Sequence, residues 1–516
     1  MAAGHKMVRD ANLHTLSSRI GCKMAGAAAD MQKTLAMATV GHTRMLVGRQ
    51  QTTLFLRGNA PRLSEKWDKT FDRMAAAEAE VAPFFRNADK DSLEADAVAQ
   101  LSFQSDMFKH LNHIPWLLFA VAAFKIWVVP TMTILLPILI WILPFILLRF
   151  VYGLPITQEQ YMHILQHIMT GNIEVPPFAA APAPRPFTIQ SAVQMAMFGF
   201  TLVQSMIQPI QNAMHLYKTD EVCLKIGRQI LEVRKAIQEL RADLGPMNGI
   251  HVKLTFSLDH FDPTDARMAF ISIQDCPENI YMAFRDLAHL ECMWRLAGTK
   301  SLNPVIFSRA VFKLEDAVDI SLDGEPVGSS INLQEQPHAI LTGPNGGGKS
   351  SFLRSVLQSV LIGHGYGFAP AKEALMPRFN WIACGLQLRD TPGELSMFET
   401  EVKFAADTIQ AARSSGPGLV LFDELFHSTN PADSARTAKQ FLHRLWKQLD
   451  VFSVVSTHIF PLVANAPTHV QAICCPAKSN NGQITFGYKV EPGICEVSSV
   501  HTVWEKFGLV PKRLSN

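Results

Sequence analysis

One stretch of the chain is apolar at nearly every position and predicts a helix long enough to cross a membrane. It reads WLLFAVAAFKIWVVPTMTILLPILIWILPFILLRF, from Trp116 to Phe150, and no charged residue falls between Ile126 and Leu148. A helix over the uncharged part is about 35 Å long, enough for a hydrocarbon core of about 30 Å. We therefore predict that residues 116–152 form a transmembrane or re-entrant segment in contact with membrane lipid.

Three prolines leave the path of this segment open. Pro130, Pro137 and Pro144 recur every seven residues, so they lie near one helical face, and each removes a backbone hydrogen-bond donor. The segment is therefore either a kinked single span or a helix bent back as a shallow hairpin. A single span would place the preceding and following residues on opposite sides of a membrane, whereas a re-entrant hairpin would keep them on one side.

Beyond this segment, apolar residues repeat at helical intervals. A proline-rich linker at Val175–Pro186 precedes a second apolar patch, Ala192–Ile207, which contains two glutamines and predicts a buried or membrane-surface helix. Two packing helices are predicted at Glu221–Gly245 and Asn279–Gly298, and each has a glycine as its stop signal.

After Asn303 the pattern changes to short apolar runs separated by turns and helices, which is typical of an α/β domain. The sequence therefore predicts five segments: a basic helical region at 1–115, the transmembrane or re-entrant segment at 116–152, a helix with the linker at 153–187, a helical domain at 188–300, and an α/β domain at 301–516.

The first sixty residues are distinguished by their composition, which is strongly basic. Their only acidic residues are Asp10 and Asp30, against several lysines and arginines, as in an organelle transit peptide or a basic helical tail that touches phosphates or lipid. The region after Pro61 predicts a helix broken at Pro83. The whole chain has a net charge of +2, which indicates no polyanionic partner by itself. Its eight cysteines contain no C-x-x-C pair and indicate reduced, intracellular thiols.

The segment LTGPNGGGKSS carries the clearest chemistry. Gly343 to Ser350 fits G-x-x-x-x-G-K-S and directly follows the strand candidate HAIL. Glycines let the backbone N–H groups face phosphate oxygens, while Lys349 supplies a positive charge and Ser350 a hydroxyl for Mg²⁺. The predicted phosphate-binding residues are Gly343, Pro344, Asn345, Gly346, Gly347, Gly348, Lys349, Ser350 and Ser351. The expected cofactors are ATP and Mg²⁺.

Two further strand ends supply candidate catalytic groups. The apolar run Leu419–Phe422 ends in Asp423 and Glu424, where one acid can hold the hydration shell of Mg²⁺ and the other can orient or deprotonate the attacking water. A third strand, VFSVVSTH, ends at His458, where an imidazole could sense the γ-phosphate.

Together these motifs resemble the ATPase domain of the MutS family of DNA mismatch-repair proteins, over about Pro304 to Leu509. TGPNGGGKSS is similar to the family's TGPN-x-GGKST loop, with Gly346 in place of methionine and Ser351 in place of threonine. GELSMFETEV resembles its signature segment, STHIFPL its ATH-x-x-EL turn, and LFDELFHSTNPADSA its DE-x-GRGTST segment, in which Phe426 and His427 replace Gly-Arg.

The resemblance implies a homodimer through the ATPase domain. Ser396 would then act in trans on the partner's γ-phosphate, the segment His427–Asn430 would line the interface, and Tyr488 would stack on adenine. Residues 221–298 resemble a shortened remnant of the family's lever and core region. No stretch resembles the mismatch-reading domain with its Phe-x-Glu wedge, so mispair recognition is not implied.

Two functions from different classes follow. One is a membrane-attached ATPase that dimerises around ATP and moves helical arms, with DNA as an expected partner and the ATPase domain facing the cytosol, the nucleus or an organelle matrix. The other keeps the ATPase but acts on a protein or lipid partner without DNA. A scaffold that binds nucleotide without hydrolysis is disfavoured because Lys349, Ser350, Asp423 and Glu424 are all present.

Overall fold

The computed structural model describes residues 2–38, 43–86, 93–161, 164, 189–244, 264–388, 395–480, 483–497 and 504. The chain divides into two compact units, each discontinuous in sequence. Unit 1 comprises Met1–Ala75, Ile237–Thr255 and Met282–Asn516, and unit 2 comprises Ala76–Ala236 and Phe256–Tyr281. This division differs from the five successive segments that the sequence predicts. The predicted linker Val175–Pro186 lies outside the described residues.

Helices dominate the first three hundred residues. The α-helices are α1 (Ala2–Asp10), α2 (Leu16–Arg19), α3 (Ala25–Ala36), α4 (Thr43–Arg86), α5 (Leu93–Gln100), α6 (Pro115–Ala123), α7 (Val129–Ile146), α8 (Ile189–Leu244), α9 (Ala266–Asp275), α10 (Pro277–Gly298), α11 (Lys349–Tyr366), α12 (Met397–Ser414), α13 (Pro431–Leu445) and α14 (Phe460–Ala464). Short π-helical turns at Phe124–Val128 and Leu147–Val151 continue α6 and α7.

Several helix predictions can be compared with these bounds. The helix predicted at Asn279–Gly298 is confirmed as α10. The predicted break at Pro83 is wrong, because α4 continues to Arg86 and its apolar face, including Trp67 and Phe71, is fully buried. The apolar patch at Ala192–Ile207 and the helix predicted at Glu221 are parts of one continuous helix, α8, which contains Pro209.

The strands lie in the last two hundred residues, as predicted. They are β1 (Asn303–Phe307), β2 (Lys313–Ala317), β3 (Ser329–Asn332), β4 (His338–Thr342), β5 (Phe368–Ala369), β6 (Glu373–Met376), β7 (Trp381–Gly385), β8 (Gly418–Phe422), β9 (Val451–Ser456), β10 (Val470–Cys474), β11 (Ala477–Asn480), β12 (Gln483–Phe486) and β13 (Glu491–Pro492).

The main sheet of unit 1 has the strand order β13-β10-β4-β9-β8-β7. Every pairing in it is parallel except that of β13 with β10. Residues of β4, β8 and β9 are buried throughout, as expected for parallel strands covered on both faces. The α/β architecture predicted for residues 301–516 is therefore present, and the carboxyl ends of β4, β9 and β8 lie side by side.

A second sheet has the strand order β3-β2-β6-β1-β5. In the sequence, β1 to β3 come before the first strand of the main sheet, β4, while β5 and β6 lie between β4 and β7. Its strand β1 pairs with β6 in parallel and with β5 antiparallel. Strands β5 and β6 directly follow α11, so this sheet is tied to the helix that begins in the glycine-rich loop.

The basic N-terminal region is folded against the rest of unit 1 and is not a solvated tail. Helix α3 packs on α11, and the Gln358 side chain donates a hydrogen bond to the Ala11 carbonyl at 2.9 Å. The buried Glu291 carboxylate accepts the backbone N–H groups of Lys23 and Met24 at 2.7 and 2.9 Å, just before α3 begins.

The excess of basic residues there has a structural use. Arg57 donates to the carbonyls of Leu296 and Ala297 at the C-terminal end of α10, and Arg49 donates to the Gly365 carbonyl near the end of α11. Cations at helix C-termini satisfy free carbonyls and complement the helix dipole. The sequence-based alternatives for this region, a transit peptide or a basic tail that touches phosphates or lipid, stay predictions.

Unit 2 carries the apolar segment. The chain is helical without interruption from Pro115 to Val151, so it contains no reversal within that range. The helix that is long and apolar enough to span a membrane, among the described residues, is Pro115–Leu136, with a mean hydropathy of 1.9 and 17% of its most apolar window buried. Ala122 and Ile126 of this helix lie in a small buried cluster with Ala97, Leu101 and Leu216.

Candidate nucleotide-binding site

The glycine-rich loop joins the end of β4 to the start of α11, as its sequence predicts. Gly343, Gly346 and Gly348 have φ values of 142°, 81° and 101°, a region that side chains with a Cβ rarely adopt. A Cβ at Gly343 would also lie 2.8 Å from the carbonyl oxygen of Cys475. The loop therefore needs glycine at these positions to adopt its closely wrapped backbone.

Lys349 opens α11 and its ammonium group turns back into the loop. Its Nζ lies 2.9 Å from the Gly343 carbonyl oxygen, 3.2 Å from that of Pro344 and 3.3 Å from Asn345 Oδ1. The side chain is buried, and burial lowers its pKa, while the charges of Glu424 and Asp423 oppose that change. A buried ammonium group held by neutral carbonyls can exchange those contacts for phosphate oxygens.

Ser350, the next residue, is bonded to the end of strand β8. Its Oγ donates to Asp423 Oδ2 at 2.5 Å, and Ser456 Oγ, at the end of β9, donates to Asp423 Oδ1 at 2.5 Å. Ser456 Oγ also accepts the backbone N–H of Glu424 at 2.8 Å. The hydroxyl of Ser350 and the carboxylate of Asp423 are thus brought together as the sequence predicts.

These two side chains fit magnesium. Mg²⁺ prefers oxygen ligands and keeps several waters, with phosphate oxygens completing its shell in nucleotide sites. No group of three or more His, Cys, Asp or Glu side chains that could hold a metal ion occurs among the described residues. Ser350 and Asp423 offer two adjacent oxygen donors, and they would hold Mg²⁺ jointly with the phosphate oxygens of a nucleotide.

Glu424 and His458 face each other across the same edge of the sheet. His458 Nε2 lies 3.6 Å from Glu424 Oε1 and 3.3 Å from Lys349 Nζ, so the imidazole stands between a carboxylate and an ammonium group. The neighbouring His458 and the charge of Lys349 lower the pKa of Glu424 against the opposing effect of burial. Glu424 has a φ of 54°, in the left-handed region, and its carboxylate is 40% exposed. A charged carboxylate that water can reach is what orientation of an attacking water needs.

A cavity of about 620 Å³ opens beside the loop. That volume lies within the range of small-molecule sites, and it is lined by the glycine-rich loop, Glu424, Tyr488 and the segment between Ala317 and Ser329. Tyr488 is half-exposed, lies against Gly348 and has its ring 5.7 Å from that of Phe486. Tyr488 thus lies in the cavity wall, and its stacking on adenine stays a prediction.

The wall segment after Ala317 is a part of the site that sequence reasoning missed. Asp319 and Asp323 line the cavity. Arg19 of the N-terminal region donates hydrogen bonds to the Ile320 carbonyl and to the Asp323 carboxylate, which connects that region to this wall segment. Ser456 was missed as well. Its position in the sequence could have indicated a role, because Ser456 stands two residues before His458 at the end of a predicted buried strand.

Ser396 does not line the cavity of its own chain. It is exposed and caps α12, where its Oγ accepts the Glu399 N–H at 3.3 Å and donates to Glu399 Oε2 at 2.8 Å. Glu399 Oε2 also accepts the Ser396 N–H, which completes a capping box. The neighbouring Gly393 and Glu394 lie outside the described residues.

Phe426 and His427, which stand where the similar MutS segment has Gly-Arg, each make specific contacts. Phe426 has a φ of 54° although it is not glycine, and its ring is fully buried against Phe398, Phe422 and Phe441. His427 Nδ1 lies 3.0 Å from Oε1 of the buried Glu401, and Ser428 donates to the other oxygen of that carboxylate.

The site as a whole defines a class of protein. A glycine-rich loop between a buried strand and a helix, an Asp-Glu pair at the end of a second parallel strand and a histidine at the end of a third make up a P-loop nucleotide-binding domain. The comparisons with known proteins specify the family. The family model of MutS domain V matches residues 339–514, so this C-terminal part of the chain is similar to that domain family.

Full-length relatives are similar over the same part. The DNA mismatch repair protein MutS of Macrococcus caseolyticus is 27% identical over 247 residues, which are 44% of this chain and 29% of the relative. The mitochondrial DNA mismatch repair protein MSH1 of Arabidopsis thaliana is 31% identical over 35% of this chain and 16% of its own length. The DNA mismatch repair protein MutS of Thermus thermophilus is 31% identical over 34% of this chain and 21% of its own length. The chain thus spans less than a third of the length of each of these relatives.

Proposed function

We propose that this protein is a MutS-like ATPase that binds Mg²⁺ and ATP beside the glycine-rich loop and hydrolyses the γ-phosphate bond. One observation carries the proposal: Lys349, Ser350, Asp423 and Glu424 come from two separate parts of the sequence and meet at one edge of the main sheet. Such an arrangement supplies charge, metal ligands and a base, which is what phosphoryl transfer to water requires.

Each residue has a defined task in the proposed reaction. Lys349 and the loop N–H groups bind the β- and γ-phosphates, while Ser350 and Asp423 hold Mg²⁺, which offsets the charge of the phosphates. Glu424 orients the attacking water and accepts its proton, and the neighbouring His458 and Lys349 favour the charged form of Glu424. Tyr488 stacks on the base. Ser396 would act on the γ-phosphate of a second copy, because it is exposed and outside its own cavity.

The decisive test is the ATP turnover of Glu424→Gln in the full chain. Removal of the carboxylate that orients and deprotonates the water should lower turnover about 100-fold or more while leaving nucleotide affinity nearly unchanged. Glu335→Gln, which changes an exposed carboxylate outside the cavity, is the matched control. Turnover that is indifferent to Glu424→Gln would overturn the assignment.

We further propose that ATP-driven dimerisation moves the helical region and that the protein acts on DNA while attached to a membrane. Support for DNA comes from the relatives, which are DNA mismatch repair proteins, and support for the membrane from the uncharged helix of unit 2. Duplex DNA binding that weakens steeply as salt rises would support the DNA role, because phosphate contacts release counterions.

The second candidate function keeps the ATPase and replaces DNA with a protein or lipid partner. It is favoured by the exposed apolar surface of α6 and α7, which is unrelated to nucleic-acid binding. Retained ATP turnover without DNA binding at low salt would support this candidate over the first.

A further inference from the structure

The packing of unit 1 restricts how the chain can pass through a membrane. Unit 1 contains residues from before the apolar segment, Met1–Ala75, and residues from after it, Met282–Asn516. These parts are bonded directly: Gln50 donates to the carbonyls of Val305 and Gly367, both at 2.8 Å. Because one compact unit lies on one side of a bilayer, the chain between its parts must cross the bilayer an even number of times.

A reversal inside the first apolar segment does not supply the second crossing. Residues Pro115 to Val151 are continuously helical, and Pro130, Pro137 and Pro144 lie within α7 without interrupting it. At 1.5 Å per residue this helical stretch is about 55 Å long, which exceeds the hydrocarbon thickness of about 30 Å. The stretch is therefore one membrane-crossing helix, called here a leg of the membrane domain. A second leg must come from the chain that follows.

The first half of α8 has the composition of that second leg. From Ile189 to Tyr217 it contains no Asp, Glu, Lys or Arg, and at 1.5 Å per residue this part is about 43 Å long. Large apolar side chains along it are exposed, and several of them are more than half exposed. They include Val193, Met197, Phe200, Val203, Ile207, Ile210 and Met214.

The two legs meet at one end. Leu216 of α8 lies in the buried cluster with Ala122 and Ile126, and the rings of Trp127 and Tyr217 are 6.3 Å apart. Lys125 precedes the uncharged part of the first leg and Lys218 follows that of the second. Lysines and aromatic rings at one level are typical of the boundary between hydrocarbon and headgroups.

The second leg is less apolar than the first for an identifiable reason. Gln204, Gln208 and Gln211 are exposed and, at intervals of four and three residues, lie on one face of α8. These neutral amides lower the hydropathy of the leg without adding a charge, so among the described residues only the first helix is apolar enough to span a membrane by its composition alone. Neutral amides occur in membrane helices, where they form hydrogen bonds to neighbouring helices.

We propose that unit 2 inserts into a phospholipid bilayer as a two-leg hairpin, with the first leg within residues 115–151 and the second within 189–217. Both ends of the hairpin then lie on the side of unit 1. This inference deepens the proposed membrane attachment, on which it rests, and it is independent of ATP hydrolysis.

The test uses the full chain in vesicles of phosphatidylcholine and phosphatidylglycerol. Single cysteines are introduced as Ser64→Cys, Ser301→Cys and Glu159→Cys, all at exposed positions, in a background with Cys22→Ser and Cys276→Ser, since the other cysteines are buried. A membrane-impermeant maleimide is applied before and after detergent, and ATP turnover is measured on the same vesicles.

The hairpin predicts that the same fraction of protein is labelled before detergent at Ser64→Cys and at Ser301→Cys. Glu159→Cys lies between the legs, on the other side of the membrane, so there only the remaining fraction should be labelled before detergent. Opposite labelling at Ser64→Cys and Ser301→Cys would show a single crossing and overturn the proposal. Full labelling of all three sites without detergent, with release by alkaline carbonate, would show no insertion and also overturn it. A vesicle preparation with the expected labelling but no ATP turnover would sink the proposed ATPase and leave the hairpin standing.

Discussion

Ser350 and Asp423 are 73 residues apart in the chain and are joined by a 2.5 Å hydrogen bond between Ser350 Oγ and Asp423 Oδ2. The bond connects the start of α11 to the end of β8, so the two halves of the proposed magnesium site are already in place. Ser456 occupies the other oxygen of the same carboxylate. The position of Asp423 is thus fixed by two hydroxyl groups on two different elements.

Asp423→Asn should separate metal binding from folding. The amide keeps the shape of the carboxylate and can still bond one hydroxyl, but it loses the negative charge that attracts Mg²⁺. We expect ATP turnover to fall about 100-fold and the Mg²⁺ concentration at half-maximal rate to rise, with little change in melting temperature. Asp407→Asn, at an exposed position on α12, is the matched control. An unchanged magnesium titration would contradict the assigned role of Asp423.

Mixing two inactive variants should reveal whether Ser396 works in the partner's site. In a mixed dimer of Glu424→Gln and Ser396→Ala, one site pairs an intact Glu424 with an intact Ser396 only if the serine acts in trans. The mixture should then recover about a quarter of wild-type turnover, since random pairing makes half the dimers mixed and each has one intact site.

The helix cap needs its own control in that experiment. Ser396 Oγ caps α12, so Ser396→Ala also costs about 1 kcal/mol of stability. Ser396→Asn keeps a capping oxygen and should retain the wild-type melting temperature while losing turnover. No recovery in the mixture with either variant would place the action of Ser396 within its own chain.

Phe426 provides an unusual stability comparison. Its φ of 54° favours glycine, whereas its ring fills a fully buried place among other phenylalanines. Both Phe426→Ala and Phe426→Gly should be destabilising by about 3–5 kcal/mol, because each leaves a cavity. Glycine should nevertheless be the less damaging of the two by about 1 kcal/mol, since it relieves the backbone strain that alanine keeps.

The measurement is urea unfolding of both variants, with Phe441→Ala and Phe441→Gly as controls. Phe441 belongs to the same cluster but lies within α13 with an ordinary helical backbone, so there glycine should be more damaging than alanine. The same order of alanine and glycine at both positions would contradict strain at Phe426.

Two buried histidines should make unit 1 sensitive to mild acid. Burial lowers the pKa of His338 and of His364 to about 4 from an ordinary value of 6.5. The unfolded chain therefore binds more protons than the folded one between about pH 6.5 and pH 4, and stability falls as pH falls through that window. Below about pH 4 both states are protonated and this contribution levels off.

Urea midpoints at pH 7 and pH 5 measure this effect. His338→Asn should reduce the difference and leave the part due to His364, because Asn can keep a bond to Ser453 Oγ, now 2.9 Å from His338 Nδ1, without a titrating ring. His443→Gln, at an exposed position on α13, should leave it unchanged. A pH dependence that survives His338→Asn and His364→Asn together would refute this explanation.

The nucleotide site could be predicted from sequence because its chemistry is written in short local motifs. The glycines fix a loop, the lysine and serine follow it, and the acids stand at the end of an apolar strand, so few alternatives fit. Ser396 is different: its role was implied by resemblance, and the structure accounts for it locally only as a helix cap.

The packing of the N-terminal helices could not be predicted in this way. An amphipathic helix shows that it has a buried face but does not name the partner of that face. The hydrogen bond between Gln358 and Ala11 joins residues 347 positions apart, and no local pattern encodes such a contact. For the same reason the excess of arginine near the N-terminus indicated targeting or lipid, whereas Arg57 and Arg49 bond helix carbonyls.

The discontinuous make-up of unit 1 has a consequence during biosynthesis. Helices α1 to α3 leave the ribosome long before the strands and the helix α11 against which they pack. At translation rates of about 5–20 residues per second, the interval between Ala75 and Met282 takes roughly 10–40 s. Throughout that delay the helix α11 is absent, so the side chain of Leu35, which is buried and lies beside Gly365 in the finished unit, lacks part of its cover. The nascent chain is therefore a natural client for chaperones that shield early-emerging apolar helices.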